Sequence, residues 1–308
     1  QILAYLRFYI NPSVMSIYRN PQAKAKIMAL YDQKLSDCAL SRYESHYVQT
    51  SAGTTHVIVV GDTGLPPVVV LHGINAGVPV SLEAMQDLYP KYCVYAIDSI
   101  GQTTRSAETR LPVKDNSYGY WLSEVMEGLG LEAAPVVGIS YGGFLLQKLI
   151  MVHPEKVEKA IFIVPAGVVN SDFFTSMQKL FLPMTRFFIT KKDKDLKKFI
   201  SSFYTQVDDY ALAFQRETLL GLKMDYSRPP LLTREAVAGY EAPVYAMVAD
   251  DDVFFPGEAC VAKLREAFSN FTKAHVLKNC RHIPSATVFT EIAQKLDAWL
   301  QEKDVLHT

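Results

Sequence analysis

The sequence predicts an α/β fold on a mostly parallel sheet, and three observations predict it. Short Val/Ile-rich runs alternate with segments of helical apolar spacing, the pattern of buried strands covered on both faces by helices. The pentapeptide Gly138-Ile139-Ser140-Tyr141-Gly142 stands where one such run, Pro135-Val136-Val137, must turn sharply into the helical stretch that starts at Gly143. The alternation then breaks at Pro165-Ala166-Gly167 for about seventy residues and resumes at Val244, which marks an insertion.

Taken in order, an N-terminal helical region is expected to reach about Ser36. It is preceded by Ile2–Ile10, an apolar stretch interrupted by Arg7 and far shorter than the ~20 residues of a membrane span, which reads as an amphipathic segment packing on the body. Strand-like segments Ser45–Thr50 and Thr55–Val60 flank Gly53, a hairpin signal. The alternating series follows: strand Pro67–Leu71, helix near Ser81–Leu88, strand Tyr92–Ile97, helix Tyr118–Leu129, strand Pro135–Ile139, helix Gly142–Val152 and strand Ala160–Val164. After the insertion come strand Val244–Val248, helix Glu258–Phe268, strand Ala274–Leu277 and helix Ala286–Leu300.

Within the insertion Phe173, Phe174, Met177, Leu180, Phe181, Met184, Phe187 and Phe188 recur at helical spacing, with Pro183 placed to bend the helix. Two or more further helices are expected around Leu196–Phe203 and Tyr210–Leu222, and the whole reads as a helical lid whose aromatics pack on the core and border a cleft. The expected division is a core of residues 1–166 and 236–308, with a helical extension over about 1–40, and a cap of 167–235. The run Lys191–Lys198 mixes lysines with aspartates and reads as a solvated turn of the lid in preference to a site for an anionic membrane.

The composition narrows the partners. At 308 residues and 49% apolar content the chain can bury a substantial core, and a formal charge of −1 supplies no global field for nucleic acid. Cys38, Cys93, Cys260 and Cys280 lie far apart without metal-site spacing, so reduced, buried thiols are expected. No run is long enough to span a membrane, and a cytoplasmic location is the expectation.

Ser140 is the candidate nucleophile, because the flanking Gly138 and Gly142 remove side chains that would collide where the backbone doubles back. A serine hydroxyl needs a base to take its proton and a third group to orient that base. His282 follows the last strand and Asp252 the strand before it, so both fall at the sheet edge that bears Ser140. Asp252 is preferred within Asp250-Asp251-Asp252, with its two neighbours as alternatives. The negative oxygen of a tetrahedral intermediate needs backbone donors, expected at Tyr141 and at Ile74 in the loop Leu71-His72-Gly73-Ile74. His72 is read as a brace for that loop, and Gly73 lets its backbone approach the reacting carbonyl.

These residues resemble the α/β-hydrolase superfamily along nearly the whole chain: Leu71-His72-Gly73, Asp98 with Gly101, Gly138-Ile139-Ser140-Tyr141-Gly142-Gly143, Asp252 with Pro256, and His282. Within it the chain looks like the lidded serine hydrolases often labelled carboxylesterases. The resemblance implies an eight-stranded, mostly parallel sheet, a helical cap after the sixth strand, and hydrolysis of a small-molecule ester through an acyl-serine without metal or organic cofactor. Where members often carry a second glycine and a serine after the Asp98 and Gly101 positions, this chain reads Gln102-Thr103-Thr104-Arg105-Ser106. Ser140 at the elbow sets it apart from the dehalogenases and epoxide hydrolases, which use aspartate there. The Phe/Met-rich lid favours an apolar acyl or alcohol moiety. Alternatives are a ligand receptor on a hydrolase scaffold, a carbon-carbon bond hydrolase, an acyltransferase, or a peptidase in which Asp172, Asp208 or Asp209 would meet an amino terminus.

Overall fold

Valine and isoleucine alternate between two apolar layers in the computed structural model, which describes residues 16–302 except 39 and 41. After helix α1 (Pro21–Asp37) come strands β1 (Tyr43–Thr50), β2 (Gly53–Val60) and β3 (Pro67–Leu71), then α2 (Val78–Glu83), β4 (Cys93–Ile97), α3 (Ser117–Gly128), β5 (Ala134–Ile139), α4 (Tyr141–Val152) and β6 (Val157–Ile163). The insertion carries α5 (Phe173–Ser176), α6 (Leu182–Thr190), α7 (Asp193–Ile200) and α8 (Asp209–Gly221). The chain returns as β7 (Val244–Asp251), α9 (Gly257–Ala267), β8 (Phe271–Arg281) and α10 (Phe289–Gln301). The apolar segment expected at Ile2–Ile10 lies outside the described residues.

The eight strands form one sheet in the order β1-β2-β4-β3-β5-β6-β7-β8. β1 and β2 pair antiparallel, as do β2 and β4, and the other pairs are parallel. Side chains alternate between faces: Val69, Leu71 and Val136 join one core with α3, α4 and α9, while Val68, Val70 and Val137 join the other with α1, α2 and α10. All four cysteines are free and buried in these layers. The chain leaves β3 for β4 on one side and comes back to β5 on the other, so β3 and β5 flank a switch point whose C-terminal crevice is where open α/β sheets bind ligands.

Several expected boundaries move. The helix expected near Ser81–Leu88 begins at Val78, with Pro79 in its first turn, and ends at Glu83; Gln86–Leu88 is a separate 3-10 turn. The last strand, expected over four residues, spans Phe271–Arg281: it is an edge strand, and its exposed Thr272, Lys273 and Lys278 hide the period-2 signal. Between α5 and α6 a π-helical turn, Met177–Phe181, precedes Pro183, which has no N–H for the regular ladder.

The insertion has a small apolar core of its own, centred on Phe187, Leu196, Phe199, Ile200 and Phe203 and reaching Val253 behind the sheet edge. The N-terminal segment reaches across to it: Ile17 and Tyr18 pack with Phe214 and Leu222, Arg19 N–H donates to the Gly221 carbonyl at 2.8 Å, and Lys223 N–H donates to Ile17 at 2.8 Å. No helix among the described residues is long and apolar enough to cross a membrane.

Candidate active site

Ser140 stands at the crest of the β5-to-α4 turn with φ 52° and ψ −112°, a conformation that costs a side-chain-bearing residue about 1–3 kcal/mol unless its neighbours enforce it. Here they do. Its N–H donates to Ile163 at 2.9 Å, and its carbonyl accepts from Gly143 and Ala166, each at 2.9 Å. The turn fits only because its flanks are bare: a Cβ on Gly142 would lie 2.2 Å from the Leu71 carbonyl oxygen, and one on Gly138 would lie 2.7 Å from that of Gly142.

Ser140 Oγ lies 2.9 Å from His282 Nε2, and His282 Nδ1 lies 2.7 Å from Asp252 Oδ2. The carboxylate can only accept from Nδ1–H, so Nε2 carries the lone pair that faces the serine. Asp252 is held in turn, its Oδ1 accepting from Phe254 N–H at 2.8 Å and Phe255 N–H at 3.1 Å. The two phenyl rings then meet the imidazole edge-on, with centroids 4.9 and 5.3 Å away. All three members are more than nine-tenths buried.

The other two aspartates have different partners. Asp250 accepts from Cys280 N–H and Asn279 N–H, each at 3.0 Å, which holds its carboxyl below the usual range and braces the register shift between β7 and β8 near Ala249 and Asp251. Asp251 is exposed and pairs with Arg281 Nε at 3.1 Å. Only Asp252 reaches the imidazole.

The imidazole loop is gripped from the insertion, which the sequence reading did not foresee. Ile283 N–H donates to Phe203 at 2.8 Å, Thr205 N–H donates to Ile283 at 2.9 Å, and Arg281 N–H donates to Thr205 Oγ1 at 2.9 Å. The Arg281 guanidinium also reaches the Ser201 carbonyl. Phe203–Thr205 therefore runs alongside residues 281–283 as a one-bridge strand. An isolated bridge has no sequence period, so only its polar Thr205 could have hinted at it.

The loop after β3 faces Ser140. Gly73 packs against the serine, and His72 is wholly buried beneath: its Nδ1–H donates to Gly73 at 2.7 Å and its Nε2 accepts from Ser99 N–H at 2.9 Å. Burial lowers the His72 pKa, against the pull of Asp98 and the Gly73 carbonyl, and keeps the ring neutral. Asn75 N–H is taken by Gln102 Oε1 at 2.8 Å, whereas the Ile74 N–H has no acceptor among the described residues. Tyr141 N–H belongs to the first turn of α4, where amides have no intrahelical acceptor.

Behind this loop is a polar knot that sequence reasoning missed. Asp98, wholly buried, accepts from Tyr31 Oη at 2.7 Å, His56 Nδ1 at 2.8 Å and Val78 N–H at 3.0 Å. Burial pushes its carboxyl up, but the His56 hydrogen bond and the nearby imidazoles outweigh that and hold it low. The knot ties α1, β2, the start of α2 and the β4 end together.

A cavity of about 530 Å³ opens at Ser140 and His282. Met184, Phe199, Phe203, Phe214 and Leu219 of the insertion form one wall, Ile74, Ile139, Ile163 and Ile292 of the core another. The far rim is polar, with Lys34 bonded to Glu83 at 2.6 Å beneath the Tyr210 ring. Asp172 and Asp208 cap helices, accepting from Thr175 N–H at 3.0 Å and Ala211 N–H at 2.7 Å. Among the described residues no group of three or more His, Cys, Asp or Glu side chains could hold a metal.

A family model described as the alpha/beta hydrolase fold matches residues 66–187. The chain is 25% identical over 268 residues to an uncharacterized carboxylesterase, nap, of Bacillus subtilis, covering 83% of this chain and 86% of that one. It is also 25% identical over 267 residues to carboxylesterase YbfK of the same organism, with the same coverage of 83% and 86%. The crystal structure of naproxen esterase (carboxylesterase NP) from Bacillus subtilis superimposes with a TM-score of 0.77 at 21% identity, covering 92% of this chain and 100% of that chain.

Proposed function

We propose that this chain, an α/β hydrolase by fold and carboxylesterase-like by its relatives, hydrolyses a carboxylic ester through an acyl-serine. The observation that carries the reading is the unbroken run of hydrogen bonds from Ser140 Oγ to His282 to Asp252, 2.9 and 2.7 Å long, opening into an apolar cavity.

In this mechanism Ser140 Oγ attacks the ester carbonyl carbon as its proton passes to His282 Nε2, while Asp252 holds Nδ1–H and stabilises the imidazolium. The carbonyl oxygen becomes an oxyanion received by the N–H groups of Tyr141 and Ile74, and losing one such donor typically costs about 3–4 kcal/mol of transition-state stabilisation. The tetrahedral species collapses, the carbon–oxygen bond to the alcohol breaks, and His282 returns its proton to the departing alkoxide. Water, deprotonated by the same imidazole, then attacks the acyl-serine carbonyl, the carbon–Oγ bond breaks, His282 returns the proton to Ser140 Oγ, and the acid leaves. The apolar walls favour an uncharged acyl or alcohol portion.

Ser140→Ala tests this. The variant is expected to lose turnover of a short aryl ester and labelling by a serine-directed phosphonate while its circular dichroism and melting temperature stay those of the parent. Wild-type turnover in that variant would sink the proposal. A parent protein that releases one equivalent of product and stops would point to a binding protein on the same scaffold.

A further inference from the structure

The helical arm from Phe173 to Thr190 is apolar on both of its faces. Leu180, Met184 and Phe187 point inward, and Met184 and Phe187 serve the cavity wall and the small core of the insertion. On the opposite side Phe174, Leu182 and Ile189 are 77%, 58% and 78% exposed, with Phe181 also exposed. Phe174, Phe181 and Leu182 follow one another at helical spacing, and Ile189 continues the row two turns on, so the exposed residues form one ridge. An amphipathic surface helix normally turns polar residues outward; one with apolar residues on both sides meets a second apolar phase.

The charge around the ridge indicates what that phase is. Residues 172–198 hold seven Lys and Arg residues against Asp172, Asp193 and Asp195, in a chain whose total charge is −1. The acids are all occupied within the fold. Asp172 caps α5, Asp193 accepts from Arg216 Nε at 3.0 Å, and buried Asp195 accepts from Arg186 Nε and Thr190 Oγ1, each at 2.7 Å. Lys191, Lys192 and Lys194 are left exposed at the end of the ridge, with Lys197 and Lys198 exposed one turn further on. Basic side chains beside exposed aromatic and branched apolar ones fit the headgroup layer of an anionic bilayer, which takes the rings at acyl-chain depth and the ammonium groups at phosphate depth.

We infer that the Phe173–Thr190 arm and the lysines that follow it dock the protein on an anionic lipid surface. Docking there sets the outer side of the arm in the membrane while its inner side remains the wall of the cavity. The solvated turn expected for Lys191–Lys198 from sequence thus has a second use, because the interleaved aspartates are taken up by Arg186 and Arg216 and leave the lysine ammonium groups exposed.

Co-sedimentation with large vesicles tests the inference. The full chain is expected to bind vesicles of phosphatidylcholine with 30% phosphatidylglycerol on the order of tenfold more strongly than pure phosphatidylcholine vesicles, and to release as salt approaches ~0.5 M. Phe174→Glu/Leu182→Glu/Ile189→Glu and, separately, Lys191→Glu/Lys192→Glu are each expected to abolish this binding. Neither set borders the cavity, so turnover of a soluble ester reports that each variant is folded. Equal binding of both vesicle types, binding that survives in both variants, or self-association of the parent through the ridge in light scattering would each overturn the inference.

Discussion

Ser140 and His282 touch, yet the chain holds them in opposite ways. The serine's turn is fixed by backbone: two strands, one helix start and two bare glycines leave it a single geometry, and the contacts that hold this turn come from residues 71–73, 138–143 and 163–166 of the core. The imidazole sits on a loop whose shape is shared between the sheet and the insertion, with Asp250 and Asp252 on one side and Phe203, Thr205 and Ser201 on the other. The difference teaches that the proposed nucleophile is held by the core alone, whereas the proposed base depends on how the insertion seats. In such an arrangement a change in the cap reaches the chemistry through His282.

The sharpest way to break that comparison is at the carboxylates. Asp252→Asn is expected to lower kcat on the order of 10⁴-fold, because an amide can present Nδ1 with a donor and turn the wrong tautomer to the serine. Asp251→Asn should leave kcat within about twofold, since its side chain is exposed and pairs only at the surface. Steady-state kinetics on one ester decides it, and equal losses in the two variants would mean that Asp252 does not orient the base.

Next in size is the elbow. Gly142→Ala puts a methyl group 2.2 Å from the Leu71 carbonyl and is expected to destabilise the fold by about 3 kcal/mol, seen as a lowered midpoint in urea. A folded variant with the parent's midpoint would show that this turn yields to the added methyl group.

Thr205→Val probes the cap's grip. It removes the acceptor of Arg281 N–H, and a net loss of about 1 kcal/mol from the imidazole loop should appear as a roughly fivefold fall in kcat with KM nearly unchanged. A rise in KM with kcat unchanged would make the segment a pocket wall and nothing more.

The smallest effect is in pH. The His72 pKa is lowered by burial and the Asp98 carboxyl is held low by His56 and its neighbours. In both cases the unfolded chain binds protons more readily, so stability is full above the ordinary values of ~6.5 and ~3.9 and is lost as pH falls through each toward the folded value. The melting temperature is expected to decline first below about pH 6.5, and His72→Gln should flatten that upper part of the curve while lowering its plateau. A His72→Gln profile parallel to the parent's would assign the decline to other groups.

Much of the fold was legible because the central strands carry uninterrupted Val/Ile runs and the elbow needs its glycines; these are local demands that any reader of residues 67–71 and 134–143 can apply. Signals weakened where burial is one-sided. The edge strand β8 exposes Thr272, Lys273, Ala274, Lys278 and Asn279 without a regular alternation, and the α2 start is set by Pro79 and by Asp98 accepting from Val78, a contact made over twenty residues. At the candidate site the residue types and their order pointed to Ser140, Asp252 and His282, and the contact pattern separates Asp252 from its two neighbours by which groups each carboxylate meets.

What the sequence by itself determined was the parallel α/β sheet, the sharp turn under Ser140 and the presence of an insertion, because each follows from short-range sterics or from the period of apolar residues. Tertiary structure alone decided that Phe203–Thr205 clasps the imidazole loop, that Asp98 gathers Tyr31, His56 and Val78, and that one side of the Phe173–Thr190 arm is left bare. These rest on groups far apart in the chain, whose meeting depends on where folded surfaces come to lie, and no local period records that.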